Sequence, residues 1–290
     1  MKSGILLAML LACTTTSWGA QKYSAAGLVL RVDPSHRTIL LSCESIPGYM
    51  DAMIMPVTVH DPKTLAGLAP GARVGFTLVV EKKMSYAESI HIRDFENLEQ
   101  QPLAARRLKI IEDLDSAEPP GAEMLKIGQP LPKVVLTDQN RREIDLASFA
   151  GQVVLINFFY THCPLPDYCF RLSNNLSNVQ RRFQPQMGRD LILVSITFDP
   201  VNDPPEVLAK YARTWNAGPD WYFLTGALPQ VRRVCNLFGA NFWPDEAELT
   251  HALHTVIIDR QGRLAANLEG NQFTARQLGD LVQTILDQSR

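Results

Sequence analysis

Residues 153–159 read VVLINFF, a nearly unbroken apolar run, and four residues later the chain presents Cys163, Pro164, Leu165, Pro166, Asp167, Tyr168 and Cys169. Such a run, bounded by polar residues, predicts a strand buried on both faces, as in parallel sheets covered by helices. Beyond Cys169, Leu172, Leu176, Val179 and Phe183 recur at helical spacing, so a helix follows the pair directly. The cysteines therefore fall at a strand-to-helix junction, where unpaired N–H groups and the helix dipole lower a thiol's pKa. Thiolate serves disulfide exchange and metal binding alike, and a structural disulfide is sterically allowed. Position alone leaves all three readings open.

The flanking sequence sets the fold. LILVSITF (191–198) is a second buried strand, and DPPEVLAKYARTW (203–215) is a helix begun at Asp203 with prolines in its first turn. HTVIIDRQGRLAANL (254–268) reads as two strands joined by a turn at Arg260–Gly262. A last helix starts in a capping box of Thr274 and Gln277 and shows one apolar face of Leu278, Leu281, Val282, Ile285 and Leu286. Strand, cysteine pair, helix, a βα unit, a hairpin and a final helix make an α/β thioredoxin-like domain.

At 290 residues the chain has room for a second domain. GLVLRV, RTILLS, MIMPVTV, RVGFTLVV and ESIHIRDF are short strand candidates between residues 25 and 95, with turn chemistry in VDPSHR and LAPGAR. Five strands in so short a span predict a small all-β barrel of the OB type. PLAARRLKIIEDL (102–114) has helical periodicity and DSAEPPGAE (115–123) reads as a linker. The expected division is a barrel at 24–97, a helical linker at 98–124 and the α/β domain at 125–290.

Residues 1–20 carry one lysine, the apolar run Ile5–Ala12 and small residues near Gly19 and Ala20, the layout of a secretory signal. Cleavage near Gly19 or Ala20 is the favoured outcome; the alternative reads LLAC as a lipobox, with lipidated Cys13 as a membrane tether. Either way the mature chain is expected outside the cytoplasm, periplasmic or on the outer side of the cytoplasmic membrane, where thiols tend to oxidise. Beyond Cys13 there are four cysteines, Cys43, Cys163, Cys169 and Cys235, too few for a disulfide scaffold. With 28 Lys and Arg against 30 Asp and Glu and no basic stripe, nucleic acid is excluded as a partner.

A third element bears on the cysteine pair. His251 and His254 precede a strand expected beside the cysteine loop. Two thiolates and one imidazole suit copper in either oxidation state better than zinc, which lacks a fourth ligand here. His254 reads as an outward-facing strand residue, His162 as a flanking group, and Cys235, with Val231 and Phe238 on one helix face, as an inert buried thiol.

FFYTHCPLPDYC, VSITFDPVNDPPE and HALHTVIIDRQG together resemble the SCO/SenC family of copper-handling thioredoxin-fold proteins, from about Met124 to the C-terminus. The resemblance implies copper ligation by Cys163, Cys169 and a histidine eight residues before the aspartate that ends a strand. Asp259 marks that strand, which selects His251. Five residues separate the cysteines where the family commonly has three, and Asp199 matches an aspartate that the family places near its site.

The smaller domain has soft donors of its own. Met50, Met53 and Met55 lie within six positions, and Met53 and Met55, two apart on a strand, share a face. Thioethers favour monovalent copper, although methionine also fills cores. GLVLRVDPSHRTILLSCESIPGYMDAMIMPVTV is similar to the small CusF-type metal-binding barrels. Cys43 stands where those barrels have a histidine, and Met50 where they have a tryptophan.

These resemblances imply an exported copper chaperone serving a respiratory cuproenzyme such as cytochrome c oxidase, with its subunit II as acceptor. The alternative is a thiol–disulfide reductase keeping the acceptor's cysteines reduced, with Cys163 and Cys169 cycling against a thiol reductant. A peroxiredoxin-type peroxidase is disfavoured, because Tyr160 and Ile156 stand where that chemistry needs Thr and Pro.

Overall fold

A computed structural model describes residues 20–82, 84–93, 124–164, 166–245 and 248–288. The secretory segment with Cys13 and the helix expected at 102–114 lie outside the described residues.

Five strands close into a barrel: β1 (Gln21–Asp33), β2 (Thr38–Cys43), β3 (Ile54–Val59), β4 (Arg73–Val80) and β5 (Ser85–Ile92). Their order is β1-β2-β3-β5-β4, with β4 returning to pair antiparallel with β1. This is the five-stranded OB-type barrel expected from the strand spacing. The last strand candidate is displaced, since β5 begins three residues earlier, at Ser85.

The remainder builds a seven-stranded sheet ordered β14-β13-β8-β9-β10-β6-β7. Its strands are β6 (Val135–Asp138), β7 (Glu143–Asp145), β8 (Val153–Phe159), β9 (Leu191–Thr197), β10 (Trp221–Thr225), β13 (His254–Ile258) and β14 (Leu264–Glu269). A separate ribbon pairs β11 (Phe242–Asp245) with β12 (Glu248–His251). The helices are α1 (Arg171–Arg182), α2 (Pro205–Thr214), α3 (Leu228–Asn236) and α4 (Ala275–Gln288). β8, β9 and β10 run parallel at the centre, and every residue of β8 and β9 is buried, as the apolar runs require. Asn157 sits within that run at no cost in unmet polarity at its carbonyl, because Ser195 Oγ donates to Asn157 Oδ1 at 2.6 Å. Trp221 Nε1 donates in turn to Ser195 Oγ at 2.9 Å. The capping box of α4 forms as expected, Thr274 N–H donating to Gln277 Oε1 and Gln277 N–H to Thr274 Oγ1.

The two domains share a buried seam. Strand side chains alternate between faces, and β1 is buried on both. Val29 points into the barrel core, while Leu28 and Leu30 join the core of the α/β domain. β2 splits likewise: Ile39, Leu41 and Cys43 belong to the barrel core, and Leu40 packs on the α/β core. Ser42 faces α4, where its Oγ donates to Asp280 Oδ2 at 2.8 Å. Arg182 of α1 and Arg276 of α4 pair with the same carboxylate at 2.8 and 3.1 Å.

Candidate metal centres

β8 delivers the chain to the edge of the sheet at Phe159, and Tyr160 to Pro164 form the first half of the cysteine loop. A single π-helical turn, Pro166–Phe170, then carries Cys169 into α1. Extra turns of this kind recur at functional sites. Leu172, Leu176 and Val179 seat α1 in the core, which fixes where that turn lies. Cys163 is half-buried and Cys169 buried, and neither is in a disulfide.

The two thiols hydrogen-bond to each other. That bond, then burial, then the charge Cys163 can carry, hold the Cys169 thiol well above its ordinary pKa. Backbone hydrogen bonds at Tyr160 and Cys169 oppose the shift without reversing it. Position at a helix start was expected to lower a thiol's pKa. For Cys169 the opposite holds, because the hydrogen bond with Cys163 and burial of the sulfur outweigh the backbone groups that favour its charged form. At neutral pH Cys169 is therefore a protonated thiol, and a metal bound there would displace its proton.

Asp203 is the residue that sequence reasoning misassigned. The cap of α2 is Pro204, with no side-chain capping bond. The fully buried Asp203 carboxylate turns to the cysteine loop instead, accepting from Thr161 N–H at 3.0 Å, from the Thr161 hydroxyl, and from Thr197 Oγ at 2.6 Å. Burial raises its pKa against the pull of these donors. Asp199, matched to the site in sequence, accepts from Asn202 N–H and Nδ2, and so shapes the 199–203 turn. The only sequence signal for Asp203 was a carboxylate ahead of two prolines, which reads equally as a helix start.

His251 ends β12, paired with Phe242 of β11, three residues ahead of His254, where the strand that adjoins β8 begins. Its side chain lies outside the described residues. Among the described residues no three of His, Cys, Asp or Glu gather as a metal site. His254 does not face outward as expected: it is half-buried, with Nδ1 2.8 Å from Asn267 Oδ1, and burial lowers its pKa. His162 flanks the loop, largely exposed, as expected. Cys235 is fully buried on α3, and burial alone pushes its thiol upward.

In the barrel, Cys43 N–H donates to the Met53 carbonyl at 2.9 Å, and Leu41 pairs with Met55. Facing residues of paired strands share a side, so Leu41 and Met55 lie with Cys43 on the inward face at one end of the barrel, and Met53 directly precedes β3 there. Met50 and Met55 pack against the cluster that contains Cys43, while Met53 stands at the rim, 50% exposed. Gly27 lies opposite Cys43, and a Cβ there would come within 3.0 Å of the Ser42 carbonyl and 3.2 Å of Cys43 Cα. Burial pushes the Cys43 thiol up to about 12. Thioethers and a thiol at one end of the barrel make a soft donor set that fits monovalent copper.

The fold and the apposed thiols define a thioredoxin-like protein carrying an OB-type barrel. Residues 131–286 match the family described as SCO1/SenC, and residues 22–92 match the copper binding periplasmic protein CusF. The chain belongs to the SCO1/SenC family. It is 32% identical over 148 residues to a SCO2-like protein of Rickettsia prowazekii, covering 49% of this chain and 68% of that one. It is 25% identical over 143 residues to a putative copper-binding protein of Stutzerimonas stutzeri, covering 48% and 68%. A crystal structure of a SCO1/SenC family lipoprotein from Bacillus anthracis superposes with a TM-score of 0.48 at 20% identity, over 55% of this chain and 99% of that one. Copper, expected from the soft donors, is the metal named in the description of the smaller family.

Proposed function

We propose that the chain is an exported copper chaperone with two copper-holding sites. In the barrel, Cys43, Met53 and Met55, with Met50, hold monovalent copper. In the α/β domain, Cys163, Cys169 and His251 hold copper for delivery by ligand exchange to a respiratory cuproenzyme such as cytochrome c oxidase, through its subunit II. The observation that carries this reading is the pair of hydrogen-bonded thiols at the strand-to-helix junction of a SCO1/SenC domain. The proposed division is a signal at 1–20, a barrel at 24–97, a linker at 98–124 and an α/β domain at 125–290; the family matches at 22–92 and 131–286 support the two folded units.

Titration of the reduced protein with Cu(I) against bicinchoninate tests the reading. Two tight sites are expected, one lost in the double variant Cys163→Ser, Cys169→Ser and the other in Cys43→Ser. No tight binding that depends on Cys163 and Cys169 would overturn it.

One observation favours a second activity at the same pair. Cys163 is half-buried and Cys169 is buried against it, the arrangement of an attacking and a resolving thiol. The two thiols would become a disulfide while an acceptor disulfide takes up the two electrons and two protons. Changing His251 to Ala separates the activities: copper retention falls and disulfide exchange persists.

A further inference from the structure

Asp203 is a fully buried carboxylate with no Lys or Arg paired to it among the described residues; the imidazole of His162 is near it, Nδ1 4.0 Å from Oδ1. Its bonds converge on the loop that carries the cysteines. One oxygen accepts from the Thr161 hydroxyl; the other accepts from Thr161 N–H at 3.0 Å and from Thr197 Oγ at 2.6 Å. The Thr161 hydroxyl has spent its proton on Asp203, so at 3.0 Å it accepts from His162 Nδ1–H. Thr197 is itself fixed, since its Oγ accepts from Asp199 N–H at 2.9 Å and Asp203 N–H donates to the Asp199 carbonyl at 2.9 Å. The end of β9 and the turn after it are thereby tied to the residue two positions before Cys163. Burying a carboxylate away from any Lys or Arg is costly, and α2 forms without it as a cap. A helix start alone does not account for such a residue.

We infer that Asp203 is a positioning residue for the cysteine pair: it anchors Thr161 to β9, and so holds Cys163 where its sulfur meets that of Cys169. This rests on the reading of Cys163 and Cys169 as the functional pair. Geometry of this kind sets how readily two thiols close on each other, a matter of effective concentration. It also sets how well they are arrayed for one copper ion.

The test uses the full mature chain and two readouts. In the first, the dithiol is equilibrated with glutathione: the two protein thiols form a disulfide while one oxidised glutathione is reduced to two thiols. In the second, Cu(I) is partitioned against bicinchoninate. Asp203→Ala is expected to shift the glutathione equilibrium toward the protein dithiol by about tenfold and to weaken Cu(I) retention by a similar factor. Asp203→Asn keeps an oxygen for Thr161 N–H and is expected to recover most of both. Where Asp203→Ala fails to fold, Thr161→Val, which removes the hydroxyl tie and keeps the amide tie, is expected to shift the glutathione equilibrium in the same direction by a smaller factor. A folded Asp203→Ala, or in its place a folded Thr161→Val, with a wild-type glutathione equilibrium overturns the inference. Wild-type protein that binds no copper while the variants still shift the glutathione equilibrium would defeat the chaperone reading and leave the positioning role standing.

Discussion

The seam between the domains hangs on one carboxylate, and its removal has a calculable cost. Asp280, whose side chain is 6% exposed, takes Arg182 at 2.8 Å, Arg276 at 3.1 Å and the Ser42 hydroxyl at 2.8 Å. Truncating one member of a buried ionic cluster typically costs about 3–5 kcal/mol, because the remaining charges stay behind unpaired. Here each guanidinium is 38% exposed and regains water, so the lower end applies. With Asp280→Ala set at roughly 3 kcal/mol, and about 2–4 °C lost per kcal/mol for a chain of this size, Tm should fall by about 6–12 °C. The barrel should also loosen from α4, because Arg276 Nη2, which donates to the Cys43 carbonyl at 2.8 Å, loses its brace. Scanning calorimetry measures the first effect. Limited proteolysis, read as faster release of the barrel fragment, measures the second. An unchanged Tm together with an unchanged cleavage rate would refute the claim that this cluster binds the domains together.

Three further outcomes follow from the geometry. Folding holds the buried Cys43, Cys169 and Cys235 thiols above their ordinary value of 9.0. Native thiols therefore keep protons that the unfolded chain releases, so their contribution is full below about pH 9 and declines as pH rises toward 12. Urea midpoints measured from pH 8 to 11 should fall less steeply in Cys235→Ala than in the parent chain; equal slopes would count against it. Gly27→Ala should force β1 from β2 and destabilise the barrel by about 1–3 kcal/mol while weakening copper retention at Cys43, both read by denaturation and Cu(I) titration. Met53→Leu, at the exposed rim, should leave stability within about 0.5 kcal/mol and yet lose Cu(I) or Ag(I) retention in the barrel; retained affinity would assign Met53 to packing alone.

What could be read in advance followed side-chain periodicity. VVLINFF gives a strand buried on both faces, and Leu172, Leu176, Val179 and Phe183 give the apolar stripe of α1, because burial pattern and chain period agree there. Contacts between distant segments were not legible. Leu28, Val29 and Leu30 are simply apolar in sequence, and only the closed barrel shows that alternate residues serve two different cores. Asp203 was taken for a cap because its bonds reach back 42 residues to Thr161, a separation that no local pattern reports. The rise in the Cys169 pKa escaped the helix-dipole argument for a related reason: the dipole is local, whereas the hydrogen bond with Cys163 and the burial of the sulfur depend on how the loop and the π turn pack.

The seam and the barrel site constrain each other through the pleat of β2. Successive residues of a strand point to opposite faces, so a one-residue slip of β2 would turn Cys43 toward α4 and put Ser42 in the barrel. In the observed register Ser42 Oγ meets Asp280, Gln277 Nε2 donates to the Ser42 carbonyl at 3.3 Å, and Arg276 holds the Cys43 carbonyl. A slipped strand would lose Ser42 from Asp280 and bring a thiol, a much poorer donor, against that carboxylate. Polar groups buried outside the barrel thus favour the one register that faces the thiol toward Met53 and Met55. The α/β domain is in this sense part of the barrel's donor geometry. A barrel cut free of α4 should therefore hold copper less well than the same residues in the whole chain, an outcome that Cu(I) titration of the two side by side would check.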